Sequence, residues 1–214
     1  MTEIKRLTSE YKKKRSQIRR RLKEFGDLYK RGKDEEIFSE LCFCLFTPQS
    51  KAVWCDKAVK ELRSSNLLFD GSSRAIASRL KGLVRFHNNK ASYVVAARRV
   101  FRNGSGLDVR SKLDAGDILS SRDWLVENIK GLGYKEATHF LRNIGLGKGM
   151  AILDVHILRN LKRYRVIAKI PSSMSRKNYL KIEERMRDFS NRIRIPMEEL
   201  DLLFWSDETG HVFK

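Results

Sequence analysis

An all-α fold is predicted for this chain of 214 residues. Apolar residues recur at i, i+3, i+4 and i+7 in segment after segment, and no stretch shows the sustained two-residue alternation of a strand. The periodic segments are separated by helix starts and stops such as Gly145, Ser175 and Pro196. No internal repeat longer than a single hairpin is present.

The first helix is expected over residues 8–30, with Ile18, Leu22, Phe25 and Tyr29 inward and Lys and Arg on the remaining faces. Residues 35–46 are apolar nearly all round (Ile37, Phe38, Leu41, Cys42, Leu45), the mark of a central core helix, and Pro48 ends it. A helix then runs from Ser50, its expected N-cap, to about residue 63 with Ala52, Cys55, Val59 and Leu62 inward. On the residues alone, Gln49 reads as a polar turn residue. After Asp70-Gly71-Ser72 a short helix reaches residue 79, and Asn88 or Asn89 caps a helix over residues 90–102. Between them lies Arg85-Phe86-His87, an aromatic among basic residues. It suits either core packing or a wedge between nucleic-acid bases with Arg85 and His87 on the backbone. Residues 103–106 are expected to be a flexible loop.

The densest signal lies in residues 125–156, two short amphipathic helices joined by Gly131-Leu132-Gly133-Tyr134. The second helix places Ala137, Phe140, Leu141 and Ile144 on one face, and Gly145 stops it. With glycines at 131 and 133, amide groups at the N-terminus of that helix can approach an anion such as a phosphate. A glycine-dotted loop leads to Asp154, on local sequence an N-cap for a helix over residues 156–163. Ser175 caps a helix carrying Tyr179, Ile182, Met186 and Phe189, and the last helix starts near Pro196 and packs through Met197, Leu200, Leu203 and Phe204. Residues 207–214 show no periodicity, and such a tail is usually frayed. His139 and His156 are too far apart for one helical metal face and read as structural residues or phosphate contacts.

Composition narrows the partner. Lys and Arg number 45 against 26 Asp and Glu, a net charge of +19 spread over the helices, which favours nucleic acid; a thermophile's ion-paired surface would predict balanced signs. The three cysteines, Cys42, Cys44 and Cys55, sit in apolar helical patterns and are expected to be buried thiols in a reducing compartment. The longest apolar run, residues 41–46, falls far short of the ~20 residues of a membrane span, and the N-terminus lacks a signal-peptide core. A soluble, cytoplasmic monomer with no membrane partner is expected.

The residues already quoted also carry a family resemblance. Lys135 directly follows the hairpin and Asp154 follows the glycine-rich loop, as in the lyase members of the helix-hairpin-helix DNA glycosylases. Thr47-Pro48-Gln49-Ser50, Val84-Arg85-Phe86-His87-Asn88-Asn89-Lys90, Leu153-Asp154-Val155-His156 and the ending from Phe204-Trp205 to Lys214 extend the match over nearly the whole chain. Together they resemble the archaeal-type 8-oxoguanine DNA glycosylase/AP lyase family. The loop before Asp154 lacks the proline that many superfamily members carry, a departure that bears on the loop's rigidity more than on the chemistry.

The resemblance implies two helical lobes, residues 1–46 with 151–214 and residues 47–150, with a DNA cleft between them and Lys135 facing Asp154 across it. It implies double-stranded DNA containing 8-oxoguanine as substrate. Lys135 would attack C1′, and Asp154 would help deprotonate it and stabilise the cationic transition state. The helix N-terminus and the neighbouring Lys130 are expected to disfavour the charged amine. Gln49 would fill the gap left by a flipped nucleotide, Phe86 and Trp205 would wedge and stack, and Phe213 and Lys214 would line the base pocket. The hairpin would also hold a monovalent cation on backbone carbonyls, here those of Ile129 and Leu132. The iron–sulfur cofactor of some superfamily members is excluded, because no cysteine follows Cys55 and no CxxC occurs. Two alternatives stay open: a glycosylase for another lesion, and a non-catalytic DNA-binding module.

Overall fold

The computed structural model describes residues 3–104, 106–210 and 212–214, and these are mostly helical. Helix α1 (Glu3–Arg31) begins earlier than its apolar pattern suggests: Leu7 is already buried, and the Thr8 hydroxyl donates to Ile4 O within the helix. In α2 (Asp34–Phe46) every residue from Ile37 to Phe46 except Glu40 is buried, as a helix apolar on all sides requires. Helix α3 (Ala52–Ser64) takes Lys51 as its N-cap. The expected cap, Ser50, is instead drawn into bonds with the turn before it and with Arg85 N–H.

A single turn, α4 (Leu67–Asp70), precedes α5 (Ser73–Leu80), which Ser72 caps by accepting from Ala75 N–H. Neither Asn88 nor Asn89 caps α6 (His87–Phe101), whose N-cap position is Phe86 in the left-handed region at φ 57°. That conformation turns the chain earlier, and both asparagines fall in the first helical turn, exposed. The segment expected to be a flexible loop carries a small antiparallel pair, β1 (Arg102–Asn103) with β2 (Gly106–Leu107), turning through Gly104 at φ 58°. Ser105 lies outside the described residues. The remaining helices are α7 (Ile118–Asn128), α8 (Tyr134–Asn143), α9 (Val155–Arg163), α10 (Arg176–Ile193) and α11 (Met197–Thr209). Asp117, Asp154 and Ser175 cap α7, α9 and α10 by accepting backbone N–H bonds.

Burial divides into two apolar clusters. One gathers α2, α3, α5, α6, α7 and the apolar face of α8; the other gathers α1 with α9, α10 and α11. Helix α8 lies between them and is buried on its polar side too, through Thr138, His139, Arg142 and Asn143. Gly145, in the left-handed region at φ 82°, ends α8 where a Cβ would come within 2.4 Å of the Gly26 backbone of α1, so only glycine allows that approach.

The loop lacking proline is held from below. Arg122 of α7 forks onto Glu183 of α10 at 2.7 and 3.0 Å, with both side chains almost wholly buried. Glu183 Oε1 also accepts the Ala151 N–H at 2.9 Å, and the Tyr179 hydroxyl donates to Ala151 O while accepting from Leu153 N–H. One buried ion pair therefore joins the two clusters and fixes the backbone leading to Asp154. Among the described residues no helix is long and apolar enough to cross a membrane.

Candidate active site

The hairpin depends on its first glycine. Gly131 adopts φ 93°, and a Cβ there would lie 2.3 Å from the ring of Tyr93, so both conformation and space demand glycine. The turn closes with Leu132 N–H donating to Ile129 O at 3.1 Å. Gly133 is the N-cap of α8, and its N–H is already taken by Glu136 Oε2 at 3.3 Å. A phosphate bound at the Gly133 amide would therefore displace a carboxylate. The x-x-Glu spacing after Gly133 signals this half of a capping box in the sequence.

Lys135 stands in the first turn of α8, about three-quarters buried, with its ammonium 3.2 Å from Glu136 Oε1 and 3.5 Å from Thr47 Oγ1. Asp154 uses both oxygens: Oδ1 accepts the Ile157 N–H at 2.8 Å and caps α9, and Oδ2 accepts the Trp205 Nε1–H at 2.9 Å. Trp205 is therefore anchored to the aspartate, with its ring edge-on to His156. Behind them Asp201 is fully buried. Burial pushes its carboxyl up to about 7, Arg142 at 3.9 Å opposing the rise and Asp154 adding to it. Lys135 also acts on that carboxyl, so the two candidate catalytic charges share its neighbourhood.

Gln49 and Phe86 lie on neighbouring turns. Ser50 N–H donates to Thr47 O, with Pro48 second and Gln49 third in the turn, a place that calls for a left-handed residue; Gln49 takes φ 54° and is exposed. Phe86 is half exposed at 51%, its ring under the Arg85 guanidinium at 5.5 Å. This excludes the core-packing reading of Phe86.

The C-terminal segment is not frayed where it is described. Lys214 Nζ sits 2.6 Å from Glu40 Oε1 and 3.0 Å from Asp56 Oδ1, over the face of Phe43. Burial works against this ammonium, but Glu40 and Asp56 outweigh it and hold the lysine above its usual value. Arg21 Nε donates to Phe213 O at 3.0 Å, and the Phe213 ring packs on the first cluster. Sequence reasoning did not single out Glu40 or Asp56; an acid inside the apolar run of α2 was the available signal. His139 is a buried structural residue edge-on to Phe43, pushed well below its usual value first by burial and then by Arg142, Lys135 and Lys214. His211 lies outside the described residues.

Comparison with known proteins bears on this geometry. The family model described as 8-oxoguanine DNA glycosylase, Ogg-HhH, matches residues 18–195. The chain belongs to that family. It is 42% identical over 205 residues to an 8-oxoguanine DNA glycosylase/AP lyase of Fusobacterium nucleatum, covering 95% of this chain and 94% of that one. To the enzyme of the same description from Methanocaldococcus jannaschii it is 39% identical, covering 92% and 91%. The crystal structure of the Methanocaldococcus jannaschii glycosylase/lyase with a 15mer DNA containing 8-oxoguanine superposes with a TM-score of 0.89 at 35% identity, covering all of both chains. The Thermotoga maritima 8-oxoguanine DNA glycosylase gives 0.88 at 33% identity, over 99% of this chain and 98% of that one.

In this member of the 8-oxoguanine DNA glycosylase family the three cysteines are free and buried. Burial raises all three thiols, Cys55 to about 11. Among the described residues no cluster of His, Cys, Asp and Glu could hold a metal ion.

Proposed function

We infer that the chain releases 8-oxoguanine from duplex DNA and then cuts the strand at the resulting site, with Lys135 as nucleophile. The observation that supports this reading is that an amine in the first turn of α8 and a carboxylate capping α9 both act on the buried carboxyl of Asp201. The amine's lone pair forms a bond to C1′ as the N-glycosidic bond breaks and the base leaves with a proton. The sugar then opens to a Schiff base on Lys135. Loss of a C2′ proton expels the 3′ phosphate by β-elimination. Asp154 takes up the amine's proton and offsets the positive charge that develops on the sugar. In the free protein Thr47 and Glu136 hold the amine in place.

Other residues hold the DNA. Gly131 and Gly133 bring the hairpin backbone to a phosphate, Gln49, Arg85 and Phe86 occupy the opened stack, and Trp205, Phe213 and Lys214 line the base pocket. The resemblance sets residues 1–46 with 151–214 against residues 47–150 across the cleft; because the buried residues of α2 pack with α3, α5 and α6, the division proposed here falls after α1. A monovalent cation would be held by the carbonyls of Ile129 and Leu132, in the turn that the Leu132 N–H closes onto Ile129 O. The enzyme acts as a monomer in the cytoplasm. Borohydride trapping on 8-oxoguanine duplex tests the core of this reading. Lys135→Gln loses both base release and the trapped adduct, whereas Lys130→Gln keeps the adduct and binds DNA with less salt sensitivity. An adduct that persists in Lys135→Gln moves the nucleophile elsewhere, and excision assays across a panel of damaged duplexes test the lesion.

A further inference from the structure

Lys90 is a lysine with only 3% of its surface exposed, and nothing in the chemistry above uses it. Its ammonium has three donors, and three acceptors take them: Phe46 O at 2.6 Å, Pro48 O at 2.8 Å and Ser50 Oγ at 2.9 Å. Pro48 and Ser50 belong to the turn that holds Gln49 at φ 54°, and Phe46 is the last residue of α2 just before it. The neighbouring turn is tied in through Ser50: its Oγ, on which the ammonium rests, accepts the Arg85 N–H at 3.0 Å, while the Lys90 N–H makes the first helical bond of α6, to Phe86 O at 3.0 Å. Gln49 and Phe86 are both non-glycine residues in the left-handed region and both exposed, and their turns are joined through the Lys90 ammonium and Ser50 Oγ.

Backbone strain of this kind persists only where surrounding contacts over-determine it. Burying a cation is also costly unless its hydrogen bonds are made. A lysine here could serve simply to satisfy the C-terminal carbonyls of α2. That role accounts for the bond to Phe46 O. It does not account for the bonds to Pro48 O and Ser50 Oγ, nor for the link through Ser50 to Arg85.

We propose that Lys90 is a positioning residue that clips the Gln49 turn to the Phe86 turn, so that the two side chains enter the DNA stack as one rigid two-pronged wedge. The proposal rests on reading Gln49 and Phe86 as the wedge. It gives the strain at both residues one common cause. A wedge held in its working conformation loses no ordering entropy when the nucleotide leaves the helix, and the stack opens at a lower cost.

The test compares Lys90→Met and Ser50→Ala with the unaltered protein in single-turnover release of 8-oxoguanine. One duplex has cytosine opposite the lesion, and a second has the opposite base missing, so that no partner base needs to be displaced. Both variants release base about tenfold more slowly from the first duplex, as expected from losing a charge-assisted bond on the path to the transition state, and recover most of that loss on the second. Ser50→Ala keeps the ammonium buried and two of its bonds, so it reads the link even if Lys90→Met does not fold. An equal loss on both duplexes, or no loss on either, overturns the proposal and leaves Lys90 as a helix-end residue. Gln49→Ala and Phe86→Ala are run in parallel. If neither shows the duplex-specific deficit, the wedge reading fails and takes the proposal with it; if they show it and the Lys90 and Ser50 variants do not, only the clip is lost.

Discussion

Asp154 illustrates how much one carboxylate holds at once. Its two oxygens accept from Ile157 N–H and from Trp205 Nε1–H, so Asp154→Asn keeps the cap through one oxygen but turns an NH2 group toward the indole donor. We expect a stability loss of about 1–3 kcal/mol from the lost bond to a charged group, and base release at least about a hundredfold slower from the lost charge. Thermal melting and single-turnover kinetics separate the two effects, and retained turnover would reduce the residue to a cap. Asp201, behind it, sets a pH dependence. Its folded value of about 7 lies above the unfolded carboxylate, so the folded chain binds more protons and this residue's contribution to stability falls as pH rises from about 4 to 7. Asp201→Asn is expected to flatten that part of the melting-temperature profile and to be the more stable form at pH 8 relative to pH 4. An unchanged profile would mean that Arg142 keeps the carboxylate charged.

At the scale of elements, the C-terminal segment departs furthest from its local sequence. A tail without periodicity is docked because Lys214 finds Glu40 on α2 and Asp56 on α3, both largely buried. Removing residues 212–214 therefore takes a cation from two acids and exposes the cluster surface under Phe213. The deletion should lower the melting temperature measurably, unlike loss of a frayed end, and should reduce 8-oxoguanine release more than cleavage of preformed abasic sites. Equal loss of both activities would point to a general collapse of the cleft. The hairpin shows the opposite balance: Gly131, Gly133 and the apolar face of α8 are readable from spacing alone, since turn geometry and helical period are local properties. Glu136 is local too, as the third residue after an N-cap.

For the molecule as a whole, the buried Arg122–Glu183 pair decides how the two apolar clusters meet. Removing one partner leaves an unpaired buried charge and frees the Ala151 amide, so Arg122→Met is expected to cost about 3–5 kcal/mol. Replacing both residues with apolar ones should restore much of the stability. Excision should stay low in that double variant, because the loop leading to Asp154 has lost its anchor. Restored excision together with restored stability would show that the pair serves packing alone.

The sequence by itself determined the all-α class, the hairpin, the central burial of α2 and the basic surface, which follow from interactions that span a few residues or from composition, whereas the two residues proposed for catalysis came from the family resemblance. Only the tertiary structure decided what each of these residues touches. That Trp205 bonds to Asp154, that Lys90 joins two turns some forty residues apart in sequence, that Ser50 forgoes its helix cap and that Lys214 is clamped between two acids are all set by long-range approach. A polar group buried on folding must find a partner, and which partner comes within reach depends on how the helices pack rather than on the period of any one of them.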